Sequence, residues 1–494
     1  MTDFKIVVLW TDALVFLLLA AILVFGLYVR RREHLRAPWR RVAQSRAGMA
    51  ALVVLAAFLI VGVLDSFHFR PAVAGAGKDG EKSYAVEVLS LFDLLVAPIR
   101  ERQEKSYSAP LAAHLFSKQT VELPDGRQLR EYPRLVHGGA HLSDPATELV
   151  PDLLQRTGLG LVIGAAGWLL MDLLVTLMLA RRHRETFATV HRDLWRGATE
   201  VPWNAILLTV GVLLLVAGPV IVLSADYHVL GTDKVGQDVL YLSLKSIRTG
   251  LIIGTLTTLV TLPLALLLGI MAGYFGGRTD DLIQYVYTTL NSIPGVLLIA
   301  AAVLMTQVYM DTHAEMFETV SHRADFRLLF LCIILGMTSW TGLCRLLRGE
   351  ALKLREMDYI QAAQAFGVPR LRIVTRHILP NVMHIVLIAI VMDFSGLVLA
   401  EAVLSYVGVG VDPSMISFGT MINGARLEMA REPMVWWSLA AAFTFMFLLV
   451  LAANLFADAV RDAFDPRVRV RRSVTGQRAR SEPVLEPALE GSTR

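Results

Sequence analysis

Apolar residues in this chain gather into long runs separated by short polar stretches, and the lengths of those runs set the architecture. They cover roughly 9–29, 47–64, 158–180, 203–224, 247–273, 285–308, 328–347, 383–404 and 435–457. Each reaches or approaches the roughly 20 residues that carry a helix across a bilayer. The pattern predicts an all-α polytopic membrane protein with about nine transmembrane helices. Between the second and third runs, residues 65–157 mix Gly and Pro with charge. There Thr120-Val121-Glu122-Leu123 looks like a strand and Pro124-Asp125-Gly126 like the turn that follows it. A small folded module, a cap and simple padding all fit that segment. The last stretch, 468–494, with Pro483 and Pro487 among mixed charges, predicts a disordered tail.

One polar interval differs from the others. Residues 350–382 form a basic, Ala-rich island in which Met357, Ile360, Ala363 and Phe366 recur at helical spacing. Arg355, Asp358, Gln361 and Gln364 fall elsewhere on the wheel. Gly367 supplies a stop at the residue after the helix, and Pro369 opens a second short helix that Pro380 is expected to end. Ala362 and Ala363 are small enough for such a helix to lie close inside a groove of a soluble partner.

Composition agrees with a membrane protein: 55% of the 494 residues are hydrophobic and 18% charged, where a soluble domain carries about a quarter charged. The net charge of +4 does not argue for nucleic acid, because the arginines cluster beside spans, as the positive-inside rule requires. They fix an orientation. Arg30, Arg31, Arg32, Arg36, Arg40, Arg41 and Arg46 place the first loop in the cytoplasm, so the N-terminus is outside. Alternation then puts 65–157 outside and 181–202 inside, the latter with Arg181, Arg182, Arg184, Arg192 and Arg196. The island 348–382 and the tail from Asp458, with Arg467, Arg469, Arg471 and Arg472, also fall inside. The first run precedes Arg30-Arg31-Arg32, the reverse of a cleavable signal, and reads as a retained span.

No catalytic constellation stands out. There is no phosphate-cradling Gly-x-x-x-x-Gly-Lys-Ser/Thr, no His-Glu-x-x-His and no Cys-x-x-Cys. No metal ligand set or cofactor is expected, and Cys332 and Cys344 fit small packing residues. Asp172, Asp393 and Glu401 are acids inside apolar runs, either lining a path or bonding between helices. Glu401 is the better candidate for a path and Asp172 for a structural bond.

Four motifs carry a resemblance. Gln361-Ala362-Ala363, then Gly367 and Ile378-Leu379-Pro380, resemble the EAA loop of ABC importer permeases. Gly231-Thr232-Asp233 with Gly236-Gln237-Asp238 resembles an outer segment of peptide and nickel permeases, with Gln237 where Arg is usual. Leu404-Ser405-Tyr406-Val407-Gly408-Val409-Gly410 is similar to a re-entrant stretch of the same family. Asn454-Leu455 through Asp458 and Arg461-Asp462-Ala463-Phe464-Asp465-Pro466-Arg467 resembles its close, with Ala457 at a usual Gly. Together they cover about 228–467, roughly half the chain.

The resemblance implies a type I ABC importer permease core with extra N-terminal spans, in a bacterial inner membrane. Gln361, Ala362, Ala363, Gly367, Pro369, Ile378, Leu379 and Pro380 would then grip the cytoplasmic ATPase. Gly231, Asp233, Gly236, Asp238, Asp393, Glu401, Gly408 and Gly410 would belong to the outer rim or the path. A second homologous permease, ATPase subunits and a periplasmic or surface solute-binding protein are the implied partners, with lipid around them and no nucleic acid. The chain itself would not be an enzyme, and its solutes would be peptides or similar molecules. The division is 1–64, N-terminal spans with a basic loop; 65–157, external insert; 158–202, an extra span and loop; 203–467, core; and 468–494, tail. The core starts either near Pro38-Trp39-Arg40-Arg41, with 65–202 inserted, or near 203. Rival readings are a secondary transporter, which would need an inverted repeat not seen here, and a receptor or enzyme built on the insert. His137, His141 and Asp144 are too loosely spaced to support the latter.

The topology is testable by labelling. Cysteines placed near residues 110 and 365 should react from opposite sides of the membrane, and reaction from one side would end the nine-span arrangement.

Overall fold

In lipid a backbone that spans the membrane must satisfy its own hydrogen bonds, and a helix does so within one segment. In the computed structural model, which describes residues 4–31, 33–72, 84–122, 128–317 and 319–464, nine helices are long and apolar enough to cross. They are Trp10–Arg30, Arg46–Asp65, Pro145–His183, Trp203–Ser224, Val239–Phe275, Gly295–Thr312, Val320–Arg355, Arg370–Tyr406 and Trp437–Phe464. The turn Pro124-Asp125-Gly126, the closing Asp465-Pro466-Arg467 and the tail 468–494 lie outside the described residues.

Three expectations from the sequence need correction. The run at 285–308 is divided: helix Gly277–Ser292 stops at Ile293, whose ψ is 130°, and Gly295–Thr312 begins after Pro294. Proline offers no N–H and drives the residue before it into the extended region, so only the second piece is a span. The helix that carries the third span starts at Pro145, ahead of the apolar run 158–180 that it contains, because Asp144 caps it by accepting from the Ala146 N–H at 3.1 Å. Pro380 does not end a helix. Residues Val374–Ile378 form a wide π turn that runs directly into Leu379–Tyr406, with Pro380 in its first turn. The wider turn makes room for the ring, and the first turn needs no N–H from it.

Helix Val239–Phe275 is the centre of the bundle. It packs against Trp10–Arg30, Arg46–Asp65, Gly277–Ser292, Val320–Arg355, Leu379–Tyr406, Phe418–Glu428 and Trp437–Phe464. Pro145–His183 and Trp203–Ser224 instead pack mainly on each other, with Gly160 and Gly218 meeting backbone to backbone. Small residues at such a crossing let two membrane helices approach closely. This pair joins the rest through contacts of Trp203–Ser224 with Arg46–Asp65.

The segment between the second and third spans is folded and docked. Strands Phe4–Val7, His68–Pro71 and Leu89–Ser90 form an antiparallel sheet, with Phe4 opposite Pro71 and Val7 opposite His68. Thr120, Val121 and Glu122 lie in strand Gln119–Glu122, which pairs with Gln128–Glu131.

Two cations on the central helix meet acids near this sheet, Arg248 buried and Lys245 half-buried. Lys245 Nζ bonds both oxygens of Asp93 at 2.5 and 2.6 Å and lies 3.6 Å from Asp65. Ser90 and Tyr241 complete the pairing by donating to Asp65 and Asp93 at 2.6 and 2.8 Å. One turn on, Arg248 is 5% exposed and donates to Asp12 at 2.5 Å and to Thr11 at 3.3 Å. Asp12 also meets His68 Nδ1 at 2.8 Å, and Thr11 donates from N–H and hydroxyl to Asp325. The network therefore joins the first, second, central and seventh spans to the external sheet.

Removing one member of a buried pair leaves its partner charged and dry, at a cost of about 3–5 kcal/mol. Arg248→Ala should therefore lower the melting temperature in detergent sharply, while the surface change Arg40→Ala should barely move it. Equal melting of wild type and Arg248→Ala would show that the network does not hold the spans together.

Candidate functional site

The polar island forms a short helix, Asp358–Ala365, followed by a turn at Gly367 with φ +72°. That backbone conformation strains an L side chain. The turn is closed by Gly367 N–H to Gln364 O at 3.0 Å and Val368 N–H to Ala363 O at 3.1 Å. Beneath it, Ile360, Ile373 and Ile378 are fully buried in one apolar cluster with Leu347 and Ala351 of the seventh span. The loop is thus seated on the ends of two spans. Its outer surface shows Gln361, Ala362 and Pro369, together with Phe366 at 86% exposure and Leu371 at 75%.

Several sequence assignments change here. Ala363 and Val368 are half-buried against the chain's own cluster, so the small size of Ala363 serves internal packing. Phe366 caps the helix and faces out, leaving the apolar face that the spacing suggested. Ile378 is core; Leu379 is half-buried and Pro380 exposed. Gln361 Nε2 donates to Glu356 O at 3.3 Å. The sequence reading did not single out Phe366 and Leu371 as outward-facing apolar residues, although large apolar side chains in a polar loop were the available signal. It also missed the bidentate pair of Arg348 with Asp280, both bonds 2.6 Å, which ties Gly277–Ser292 to the seventh span. That guanidinium holds the Asp280 carboxyl below the usual carboxylate range.

The outer rim is a buried seam and not an open mouth. Asp238 caps the central helix by accepting from Leu240 and Tyr241 N–H, and its other oxygen meets His228 Nδ1 at 2.7 Å. His228 Nε2 lies 3.6 Å from Glu104 of the docked insert. Glu104 accepts from the N–H groups of Val136, His137 and Gly138 at 2.9, 2.7 and 3.2 Å. Gly236 has φ +79°, and a Cβ there would overlap the Glu104 carbonyl, so the seam closes only on glycine. Gly231 also has a positive φ, and its neighbour Thr232 bonds Ser108. Asp233 accepts from Val235 and Gln237 N–H at 3.0 and 2.8 Å, shaping the turn. These residues sit on the rim, covered by the insert.

Of the intramembrane acids, Glu401 does not line a path. It is 1% exposed and accepts from Ser405 and Ser417 at 2.7 and 2.9 Å, fixing the chain that returns after Gly408. Gly408 has φ +87° just past the helix end, and Gly410 packs on Ser405. Asp172 lies 3.5 Å from His191 of the amphipathic helix Phe187–Arg196, a structural contact. Asp393 alone of the three faces a cavity. This space of about 470 Å³ is also lined by Thr258, Thr261, Ser339 and Gly342. A second of about 630 Å³, sharing Leu346, Ala389, Met392 and Asp393, continues to Glu350, Lys353, His384 and Arg461.

The comparisons with known proteins fall on this same region. A family model described as the binding-protein-dependent transport system inner membrane component matches residues 265–470. The oligopeptide transport system permease protein OppC of Mycobacterium bovis is 31% identical over 248 residues, 50% of this chain and 79% of that protein. The dipeptide permease DppC of Bacillus subtilis is 27% identical, covering 50% of this chain and 70% of its own. The glutathione permease GsiD of Pectobacterium atrosepticum is 32% identical, covering 49% and 73%. A solved structure of the MetNI methionine ABC transporter aligns at TM-score 0.36 and 15% identity over 46% of this chain and 97% of that one, a likeness too distant to carry an argument.

The seam makes insert docking depend on pH. Burial opposes charge on His228, but Asp238 and Glu104 outweigh it and lift the pKa from 6.5 to about 9. Burial likewise opposes charge on Glu104, but the His228 ring and the three backbone N–H groups hold it at about 2, down from 4.5. A raised pKa stabilises fully below the unfolded value and is lost as pH rises through the folded one; a depressed pKa does the reverse. Docking should therefore be firmest between pH 4.5 and 6.5 and weaken from 6.5 to 9. Limited proteolysis of residues 84–144 should accelerate across that window, and His228→Gln should flatten the response. Cleavage independent of pH in the wild type would exclude a charged His228.

Proposed function

This chain belongs to the family of binding-protein-dependent transport system inner membrane components, and from that premise we propose that it is a permease subunit passing peptides or similar small solutes across a bacterial inner membrane. The observation that carries the reading is the seated loop. Ile360, Ile373 and Ile378 fix it from below, while Phe366 and Leu371 stand out toward the cytoplasm with no cover among the described residues. A groove on an ATPase subunit would take Phe366, with Ala362 small enough to let the helix approach. The oligopeptide, dipeptide and glutathione transport named for the relatives supports peptide-like cargo.

In this reading the N-terminus is outside and the C-terminus cytoplasmic. A solute-binding protein docks outside, and ATP is hydrolysed by the partner, so the chain's own work is coupling and gating. A second homologous permease completes the pore. It would cover the face of Leu379–Tyr406 that carries Met392, Asp393 and Gly396, all exposed. Asp393 stands mid-helix, where a carboxylate against lipid is costly.

Truncating a central aromatic anchor typically costs at least about 2 kcal/mol of association. Phe366→Ala should therefore weaken ATPase binding roughly 30-fold, since every 1.4 kcal/mol is tenfold. Gly367→Val forces a β-branched residue to a positive φ, costing about 1–2 kcal/mol, and should lower solute-stimulated ATP turnover about tenfold. Both should insert as wild type, and Phe366→Ala should also melt as wild type. Normal ATPase association and uptake by both variants would remove the loop from the coupling path.

A further inference from the structure

The cavity of about 470 Å³ lies between the central helix, the seventh span and Leu379–Tyr406, and its lining is mostly apolar. Asp393 is the one ionisable residue in that lining, and among the described residues it has no hydrogen-bond or ion-pair partner. The carboxylates that are buried within spans have company. Asp12 is paired with Arg248 and His68, Asp325 with Thr11, and Glu401 with two serines. A carboxylate kept unpaired halfway along a membrane helix is expensive unless something charged visits it. The nearby hydroxyls do not satisfy it: Thr258 and Thr261 are spent on the carbonyls of Gly254 and Thr257, at 2.7 and 3.0 Å. Cations appear only farther along, where the adjoining cavity reaches Lys353 and Arg461.

We propose that Asp393 is a recognition site for a positively charged amino group of the solute, so that the path selects molecules presenting an ammonium group. This deepens the reading of the chain as a permease for peptide-like solutes and rests on it. The site has the necessary chemistry: one acceptor-only carboxylate forms charge-assisted bonds to the three donors of an ammonium. Apolar walls from Leu343, Leu346, Ile390 and Leu397 lower the local polarity and strengthen the attraction. Gly342 and Gly396 leave space beside the carboxylate, since a Cβ at either would meet nothing within 4 Å. Past Asp393 the ammonium would enter the second cavity, where Lys353 and Arg461 repel it and Glu350 offers the next acceptor. A single carboxylate followed by mixed charge suits brief capture and release.

The test uses cells of the native host with the chromosomal copy replaced and equal membrane abundance confirmed. Initial uptake of trialanine is compared with that of N-acetyl-trialanine, which has the same backbone without the charge. Wild type should favour the free amine by about tenfold, the scale of one lost charge-assisted bond. Asp393→Asn should bring trialanine uptake down to the acetylated rate and leave the latter unchanged. Asp393→Glu should keep most of the preference. Gly342→Lys, which places a fixed ammonium in the same cavity, should abolish it as Asp393→Asn does. Equal losses for both peptides, or an unaltered ratio in Asp393→Asn and Gly342→Lys, would overturn the site while leaving the peptide reading intact. Wild-type cells that owe no uptake of either peptide to this chain would overturn the peptide reading, and the site with it.

Discussion

The pairing of two cations on one helix, one buried and one half-buried, governs how the part of this protein around the sheet is put together. Lys245 and Arg248 lie one turn apart on Val239–Phe275, and taking each out of water costs several kcal/mol unless it is met by well-placed acceptors. No acid on their own helix meets either one. Asp12 comes from the first span, Asp65 from the end of the second and Asp93 from the insert; Asp325, on the seventh, reaches Arg248 through Thr11. The cost is offset only when all of these elements have arrived. The first two spans and the external sheet are therefore part of the core's electrostatic balance, although the family match begins at residue 265.

The inner half is held differently. Apart from the Arg348–Asp280 pair, its contacts are mainly apolar, with Ile360, Ile373, Ile378, Leu347 and Val382 closing one cluster under the loop. Apolar contacts lack direction and tolerate sliding better than a charge network does, which moves only by breaking pairs. The open spaces lie beside Asp393 and Arg461, on this same side. A push on Phe366 would pass through the isoleucine cluster into Val320–Arg355 and Leu379–Tyr406, which flank both spaces. Such a design is stiff around the charge network and compliant around the loop, which suits the proposed drive through the loop.

The spans were legible because each is a local property: a run of apolar residues of bilayer length declares itself. The turn at Gly367 was legible for the same reason. Errors arose where two local rules competed. Hydropathy runs on through Ile293 and Pro294, but the proline's missing N–H divides the helix there. Pro380 carries a stop signal that a π turn at Val374–Ile378 absorbs. The charge network was hidden because Asp12, Asp65, Asp93, Arg248 and Asp325 are separated by long stretches of chain, and each alone resembles a residue at a membrane edge. A hint was present in the cations at positions 245 and 248, i and i+3 on a helix entering an apolar run. Glu401 misled for the opposite reason: an acid in a span suggests a path, and only Ser405 and Ser417, brought together by the turn at Gly408, show it to be a fastener.

The insert reveals what the added N-terminal half contributes physically. Its segment from Ser90 to Asp144 supplies Asp93 to Lys245 and Glu104 to His228, so it touches the central helix both along its outer half and at its cap. The insert's backbone at Ser108 and Glu104 closes over the rim residues Gly231 and Gly236. Anything that approaches the core at this place would meet the surface of the insert first. The helix pair Pro145–His183 and Trp203–Ser224 rises from that cap and returns through the bilayer, gripping itself at Gly160 and Gly218 and touching the core mainly at Arg46–Asp65. It anchors the cap at its base while leaving the Asp393 face uncovered. The addition thus braces the rim of the core and leaves the surfaces around the Asp393 cavities free.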